Sequence, residues 1–193
     1  MKELFKKHLA KHISLSSSEF DKFIEPFKLK IVKKKEFYLQ QGEVCKYEAF
    51  VIKGLFKIYH LDNKGSENII NFAASDWWLG DIDSFNNETP SKLFIEALED
   101  SEIFIINKYD KEVLYEELPK VEKLFRIMGQ KAMVALQRRV IDSISKTADL
   151  RYVDFIEKNS SIAQRLTNLQ IAAYLGISHE FLSKIKKKIS AKK

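Results

Sequence analysis

The chain has 193 residues, of which 45% are hydrophobic, and a formal net charge of +6. This is enough for one large domain or two small ones, and it argues against a disordered chain. The single cysteine excludes a disulfide framework and fits a reducing cytoplasm. The N-terminus has no apolar segment typical of a signal peptide, and no apolar run approaches the roughly 20 residues that span a bilayer. We therefore expect a cytoplasmic protein without a membrane partner.

The positive charge is concentrated at the C-terminal end. From Ser161 onward there are seven lysines and arginines and one acidic residue, Glu180, whereas the first 160 residues hold 26 of each sign. A neutral body with a cationic end indicates either a polyanionic partner for that end or a solvated lysine tail. The seven cations are Arg165, Lys184, Lys186, Lys187, Lys188, Lys192 and Lys193.

The first part of the chain predicts helices followed by many short strands. Apolar residues at helical spacing within residues 1–30 predict two helices, and a serine run between them offers N-caps. Over residues 31–106, short β-branched and aromatic runs alternate with turn signals. Gly42, Gly54 and Gly65 stand where tight turns would require a positive φ. This pattern predicts an antiparallel roll or barrel.

From Asn107 onward the pattern is helical again. A short helix is predicted first, with Asp110 as its expected cap, and Pro119 then fits the first turn of a longer helix that reaches Lys146. About 28 residues at about 1.5 Å each give roughly 42 Å, which exceeds a small domain. Its apolar stripe must be covered by the roll, by another element or by a second copy. We expect a homodimer, and the alternative is an intramolecular spine.

The segment LTNLQIAAYLGISHEFLSKIKKKI predicts two short helices joined by a tight turn. Thr167 begins a T-x-x-Q capping box, so the first helix starts there. Gly176 is placed to end that helix in the left-handed conformation, and Ser178 to cap the next one. The small Ala172 allows two helices to approach closely at a steep angle. The spacing is that of a helix-turn-helix.

The second of these helices carries polar and cationic residues on the face opposite its apolar positions. A recognition helix places its N-terminal residues against base edges, where lysine donates to guanine and glutamate accepts from cytosine. Flanking lysines would suit phosphates. The alternative is a solvated amphipathic helix in an unrelated bundle. The expected DNA-binding residues are Thr167, Ser178, His179, Glu180, Ser183, Lys184, Lys186, Lys187 and Lys188.

The order of these elements resembles the bacterial transcription regulators of the Crp/Fnr family. The resemblance covers nearly the whole chain and rests on LQIAAYLGISHEFLSKIKKKI and on the glycines of QQGEVCKYEAFVIKGLFKIYHLDNKGSE. It implies an α+β fold in three parts. Residues 1–118 would form an antiparallel β-roll, a cyclic-nucleotide-binding-like jelly roll with N-terminal helices. Residues 119–146 would form a dimerisation helix, and residues 147–193 a winged-helix-like helix-turn-helix domain.

The recognition helix departs from the family pattern. The family usually has an Arg-Glu pair and a second arginine four residues after the glutamate, and these positions correspond to His179, Glu180 and Lys184. Only the glutamate is kept. Lys184 retains the charge but lacks the bidentate fork of arginine. The usual target sequence of the family is therefore not expected.

The family resemblance also implies an effector pocket in the roll, built on a phosphate-binding cassette. Gly80 fits the pattern, Asp81 stands at the glutamate position, and Ser91 with Lys92 stands where Arg-Ser would be. Trp78 either lines such a cavity or packs in the core. The missing arginine removes the bidentate phosphate contact, so a cyclic nucleotide is not expected. A different small-molecule effector, or a roll that serves only as a scaffold, stays open.

Other chemistry finds little support in the sequence. One cysteine cannot hold an iron–sulfur cluster. His8 and His12 are four residues apart on a helix, but no third metal ligand accompanies them. No nucleophile elbow, P-loop or GxGxxG motif occurs. We expect no catalytic residue, no metal and no certain cofactor.

These observations predict a homodimeric, sequence-specific DNA-binding transcription regulator that is not an enzyme. Its expected partner is double-stranded DNA with a palindromic operator, and RNA polymerase is a further candidate partner. One alternative is a ligand-binding β-roll protein whose helical C-terminus docks a protein partner. Another is a nucleic-acid scaffold without sequence preference.

Overall fold

The computed structural model describes residues 1–191, so Lys192 and Lys193 of the cationic end lie outside the described residues. The chain divides into two compact units. The first comprises Met1–Ile58 and Phe72–Ala132, and the second comprises Tyr59–Asn71 and the chain from Met133 onward.

Helices stand at both ends of the described chain, and strands lie between them. The helices are α1 (Lys2–Ala10), α2 (Ser17–Ile24), α3 (Ile82–Asn87), α4 (Lys108–Glu117), α5 (Pro119–Ser145), α6 (Ala148–Lys158), α7 (Ser160–Ala163), α8 (Asn168–Leu175) and α9 (His179–Ser190). The strands are β1 (Lys28–Val32), β2 (Phe37–Leu39), β3 (Tyr47–Lys53), β4 (Leu55–Leu61), β5 (Glu67–Ala74), β6 (Trp78–Leu79), β7 (Phe94–Ala97) and β8 (Ser101–Asn107).

The strands form two four-stranded sheets, with the orders β1-β8-β3-β6 and β2-β7-β4-β5. Strand β8 pairs antiparallel with β1 on one side and with β3 on the other. The predicted antiparallel roll is therefore confirmed. The three turn glycines have the expected positive φ, at 91° for Gly42, 119° for Gly54 and 77° for Gly65.

The interior of the roll is filled with apolar side chains. Val51, Phe56, Ile95 and Ile103 are fully buried in one cluster, which removes apolar surface from water and holds the two sheets together. Phe85 of the short helix α3 belongs to the same cluster and is 2% exposed. Helix α3, which lies at the position of the predicted phosphate-binding cassette, is thus attached to the core of the roll through Phe85.

The N-terminal helices cover one outer surface of the first sheet. Ser16 caps α2, and a capping box with Glu19 is complete, as the serine run predicted. Phe5 of α1 and Phe23 of α2 are fully buried. The ring of Phe5 stacks on Phe50 of β3 with the ring centroids 4.2 Å apart. These aromatic contacts fix the helical segment on the sheet.

The prediction that Asp110 caps α4 is wrong. The cap is Asn107, whose side-chain oxygen accepts a hydrogen bond from the Asp110 backbone N–H at 2.8 Å. The Asp110 carboxylate instead accepts a hydrogen bond from the Asn107 side-chain amide at 2.8 Å. Asparagine and aspartate are both favourable N-cap residues, and these two are three positions apart. Asn107 is the last residue of β8 and therefore stands immediately before α4.

The long helix α5 has 27 residues and begins at Pro119, as predicted. Its first half is anchored in the first unit, where Val121 and Leu124 are fully buried. Its second half exposes a row of apolar side chains at helical spacing. These are Met133 at 67%, Leu136 at 54%, Val140 at 53% and Ile144 at 81%.

The chain after α5 is helical throughout the described range. Residues 146–191 contain α6 to α9 and no strand, so the wing implied by a winged-helix-like domain is absent from this range. No described helix combines the length and the apolar character that crossing a bilayer would require.

Candidate nucleic-acid interface

Helix α8 begins with the predicted capping box. The Thr167 hydroxyl accepts a hydrogen bond from the Gln170 backbone N–H at 3.2 Å. The Gln170 side chain returns the contact by accepting from the Thr167 backbone N–H at 2.8 Å. Two of the free N–H groups at the helix start are thereby satisfied.

The turn after α8 is built around Gly176. Its φ of 65° is in the left-handed region, and its backbone N–H donates to the Ala172 carbonyl. A Cβ added at Gly176 would meet nothing within 4 Å, so conformation rather than space favours glycine here. Ser178 then caps α9 by accepting from the Phe181 backbone N–H at 3.1 Å. The predicted helix-turn-helix is confirmed.

The two helices pack through their apolar faces. Ile171 and Leu175 of α8 and Leu182 and Ile185 of α9 are all buried. Ala172 is 2% exposed, in agreement with the prediction that a small side chain stands where the helices approach. The exposed face of α9 consequently carries mostly polar residues, together with Phe181, which is 47% exposed.

The first turn of α9 carries His179 and Glu180, both exposed. Hydrogen bonds from its own backbone N–H and from the Ser178 side chain hold the pKa of Glu180 below its usual value. Glu180 is therefore a carboxylate at neutral pH and can only accept hydrogen bonds. Ser183 is half-buried, and its hydroxyl donates to the His179 carbonyl at 3.0 Å. The Ser183 hydroxyl oxygen can still accept a hydrogen bond from a DNA base.

The lysines of α9 fall into two groups. Lys184 and Lys187 are exposed, and their side-chain ammonium groups have no hydrogen-bonding or ionic partner within residues 1–191. The other two lysines that we predicted to contact phosphates already have partners within the second unit. Lys186 donates to the Asn168 side chain at 2.8 Å, and Lys188 is 2.5 Å from the Asp149 carboxylate.

Sequence reasoning missed two arginines that hold the end of α8. The guanidinium of Arg139 donates to the Ile69 carbonyl at 3.0 Å, to the Tyr174 carbonyl at 3.1 Å and to the Ile70 carbonyl. It also lies 4.2 Å from the centroid of the Tyr174 ring. Arg151 donates to the Leu175 carbonyl at 3.0 Å. For Arg139 the signal in the sequence was a basic pair within an otherwise apolar stretch of α5, whereas Arg151 of α6 carries no comparable signal.

At the cassette, two of the predicted effector residues bind each other. Asp81 caps α3, accepting from the backbone N–H groups of Asp83 at 3.1 Å and Ser84 at 3.3 Å. Its second oxygen accepts from the Ser91 hydroxyl at 2.7 Å, and both side chains are buried. Lys92, which follows Ser91, is exposed. The groups that correspond to ribose and phosphate contacts in the family are thus used within the protein.

The remaining two predicted effector residues are Gly80, which lies close to Glu48, and Trp78, which packs against aromatic side chains of α1 and β3. A Cβ on Gly80 would lie 3.6 Å from the Glu48 side chain, an ordinary contact. Trp78 packs on Phe125 with the ring centroids 4.7 Å apart. Its indole N–H donates to the His8 ring at 3.3 Å. Trp78 is thus partly buried against core residues, and its predicted role in an effector pocket stays a prediction.

His8 of α1 is also engaged, whereas His12 lies beyond the end of that helix. His8 Nδ1 lies 2.9 Å from the Asp76 carboxylate, and its Nε2 accepts from the Trp78 indole. Both ring nitrogens therefore have partners, which corresponds to the neutral Nδ1–H tautomer. Over residues 1–191, no three His, Cys, Asp or Glu side chains are grouped so that they could hold a metal ion.

Comparisons with known proteins agree with this architecture. Residues 29–117 match the family model for the cyclic nucleotide-binding domain. A search of curated proteins finds no match. Among solved structures, the c-di-GMP-responsive global regulator CLP of Xanthomonas campestris has a TM-score of 0.76 at 14% identity, covering 92% of this chain and 93% of that one.

Two further solved structures are similar to this chain. FixK2 from Bradyrhizobium japonicum has a TM-score of 0.75 at 17% identity, covering 86% of this chain and 85% of that one. A protein from Eubacterium rectale, described as a transcriptional regulator of the Crp/Fnr family, has a TM-score of 0.71 at 17% identity, covering 92% and 85%. Residues 29–117 thus match the model of the cyclic nucleotide-binding domain, and the chain shares the fold of these solved structures of Crp/Fnr-type regulators.

Proposed function

We propose that this chain is a homodimeric, sequence-specific DNA-binding transcription regulator. The observation that carries the proposal is the α8–α9 pair, in which two capped helices meet at a left-handed Gly176 and the second exposes Lys184 and Lys187. The fold supports it, since the solved structures of the same fold are named as regulators.

The polar residues on the outer face of α9 divide into two roles. His179, Glu180 and Ser183 lie in the first turns, where a recognition helix contacts base edges. Lys184 and Lys187 have no partner within the described chain, so binding to guanine or phosphate breaks no existing contact. Lys188 would have to exchange its exposed pair with Asp149 for a phosphate, and such pairs contribute only about 0–1 kcal/mol.

The exposed row on α5 supports the homodimer. Met133, Leu136, Val140 and Ile144 follow one another at intervals of three and four residues, so they form one apolar stripe. An apolar stripe of this length on a monomer marks a protein interface. A two-fold pair of such helices would place two recognition helices about one DNA turn, roughly 34 Å, apart. The operator is then palindromic, and RNA polymerase stays a candidate partner.

The roll of this regulator does not bind cyclic AMP. Three features support this part of the proposal: the phosphate-binding arginine is missing, Asp81 and Ser91 are hydrogen-bonded to each other, and the roll interior is filled by core residues. A titration of the purified protein with cyclic AMP is expected to show no saturable binding.

DNA binding is tested by selecting an operator from random duplexes and measuring affinity by fluorescence anisotropy at fixed salt. The double variant Lys184→Gln/Lys187→Gln should bind at least about tenfold more weakly, with a salt slope smaller by about two. Lys7→Gln, an exposed lysine on α1, is the matched control and should leave affinity unchanged.

Other outcomes would favour the alternatives. Equal affinity for selected and random DNA would indicate a scaffold without sequence preference. No DNA affinity at all would favour a β-roll protein whose helical end docks a protein. For the dimer, Leu136→Asp should convert the protein to a monomer in light scattering, and protection of a single half-site by the wild type would contradict the symmetric arrangement.

A further inference from the structure

Helix α9 presents one large apolar side chain on its otherwise polar exposed face. Phe181 is 47% exposed, whereas Leu182 and Ile185 of the same helix are buried. Within residues 1–191 the Phe181 ring has no aromatic or cationic partner. Single exposed apolar side chains are common on protein surfaces. The significance of Phe181 therefore depends on where α9 holds it.

Phe181 stands in the first turn of α9, as the third residue of the helix. The Ser178 cap fixes this turn, since its hydroxyl accepts a hydrogen bond from the Phe181 backbone N–H at 3.1 Å. Phe181 and Lys184 are three positions apart and therefore lie on the same side of α9. The N-terminal residues of a recognition helix lie against the base edges of the major groove. The Phe181 ring is thus held beside the side chains to which we assign base contacts.

The chemistry of a phenyl ring limits what it can contact in the groove. The ring has no hydrogen-bond donor or acceptor, so covering the polar edge of guanine, cytosine or adenine would deprive that edge of its water partners. Thymine alone presents an apolar group in the major groove, the C5 methyl. Contact between the ring and this methyl group removes apolar surface from water. An exposed phenylalanine in this position therefore favours thymine.

The polar side chains of α9 do not supply this selectivity. The helix contains no arginine, so it lacks the bidentate contact to guanine. Lys184 donates as a point charge, and Glu180 accepts from the amino groups of bases. Neither side chain recognises the thymine methyl group. An apolar contact from Phe181 adds specificity that these two residues do not provide.

We propose that Phe181 is a specificity-determining residue that recognises a thymine of the operator through its methyl group. This inference rests on the proposed DNA binding and extends it to the base that the first turn of α9 selects. Burying one methyl group contributes about 0.8 kcal/mol, which corresponds to about fourfold in affinity. Each operator half-site then contains a thymine whose methyl group is needed for full affinity.

The test replaces the thymines of the selected operator one position at a time by deoxyuridine, which lacks only the methyl group. Affinity of the full-length protein is measured by fluorescence anisotropy at fixed salt. For the wild type, one such replacement made in both half-sites should weaken binding by about tenfold or more, since two methyl contacts are lost. In Phe181→Ala the same replacement should change affinity by less than about twofold. The thymine-to-uracil affinity ratio is taken within each variant, so a general loss of affinity or stability in Phe181→Ala cancels.

Leu169→Ala is the matched control, because Leu169 is a 67% exposed apolar residue of the neighbouring helix α8. This variant should keep the wild-type thymine-to-uracil ratio. The inference is overturned, while the proposed DNA binding stands, if no thymine of the selected operator is sensitive to loss of its methyl group. The same conclusion follows if Phe181→Ala keeps the wild-type ratio. Failure to select any operator would overturn the proposed DNA binding together with the inference.

Discussion

Replacing glycine by alanine at three turns distinguishes two reasons why a turn requires glycine: the backbone conformation and the lack of space for a side chain. Gly176 and Gly65 have φ values of 65° and 77°, and an added Cβ would meet nothing within 4 Å at either. Gly54 has a φ of 119°, and there an added Cβ would lie 2.0 Å from the Ser101 hydroxyl oxygen and 2.9 Å from the Ser101 Cα. The first two sites carry only conformational strain, whereas Gly54 combines strain with a backbone clash.

The expected losses in free energy of unfolding follow from this difference. Left-handed backbone costs a non-glycine residue about 1–2 kcal/mol, and the stiffer unfolded chain returns about 0.4–1 kcal/mol. Gly176→Ala and Gly65→Ala should therefore each lose about 1 kcal/mol. Gly54→Ala should lose about 2–4 kcal/mol, because overpacking adds about 1–3 kcal/mol to the same net loss of about 1 kcal/mol.

Urea unfolding followed by circular dichroism measures all three variants, and anisotropy on the selected operator provides the second readout. Gly65→Ala is the matched control for Gly176→Ala, since the backbone strain is similar but the turn joins β4 and β5. Only Gly176→Ala should reduce DNA affinity. The reasoning is refuted if Gly54→Ala is no less stable than the other two variants, or if both matched variants affect DNA affinity equally.

Three further predictions concern buried polar contacts. Arg139→Met should lower the free energy of unfolding by about 3 kcal/mol, because several backbone carbonyls, including that of Tyr174, lose a charged hydrogen-bond donor. A loss of less than about 1 kcal/mol in urea unfolding would contradict this. Burial lowers the pKa of His8 below 6.5, so the unfolded chain binds more protons and stability should fall as the pH drops below about 6.5. In His8→Gln that fall should be smaller, and an unchanged pH profile of urea unfolding would count against the assignment. Lys111→Met should cost about 3–5 kcal/mol, since it leaves Glu48 buried without its partner at 2.5 Å; the same assay on Lys111→Met with Glu48→Leu should recover part of the loss.

The local features of the helix-turn-helix were predictable because they depend on residues only a few positions apart. The Thr167 capping box, the left-handed Gly176 and the Ser178 cap each follow from side-chain and backbone groups within one turn. The wrong prediction of the α4 cap also arises from local patterns. Asn107 and Asp110 are both good caps three positions apart, and their local patterns do not distinguish them.

The sequence by itself thus determined the strand-rich middle, the long helix from Pro119 and the helix-turn-helix, because periodicity, turns and caps are local properties. Only the tertiary structure decided which polar groups are free. Lys188 meets Asp149 across 39 positions, Asp81 meets Ser91 across 10, and Arg139 meets the Ile70 carbonyl across 69. No spacing rule encodes such partners, since they are set by how packed elements bring distant side chains together.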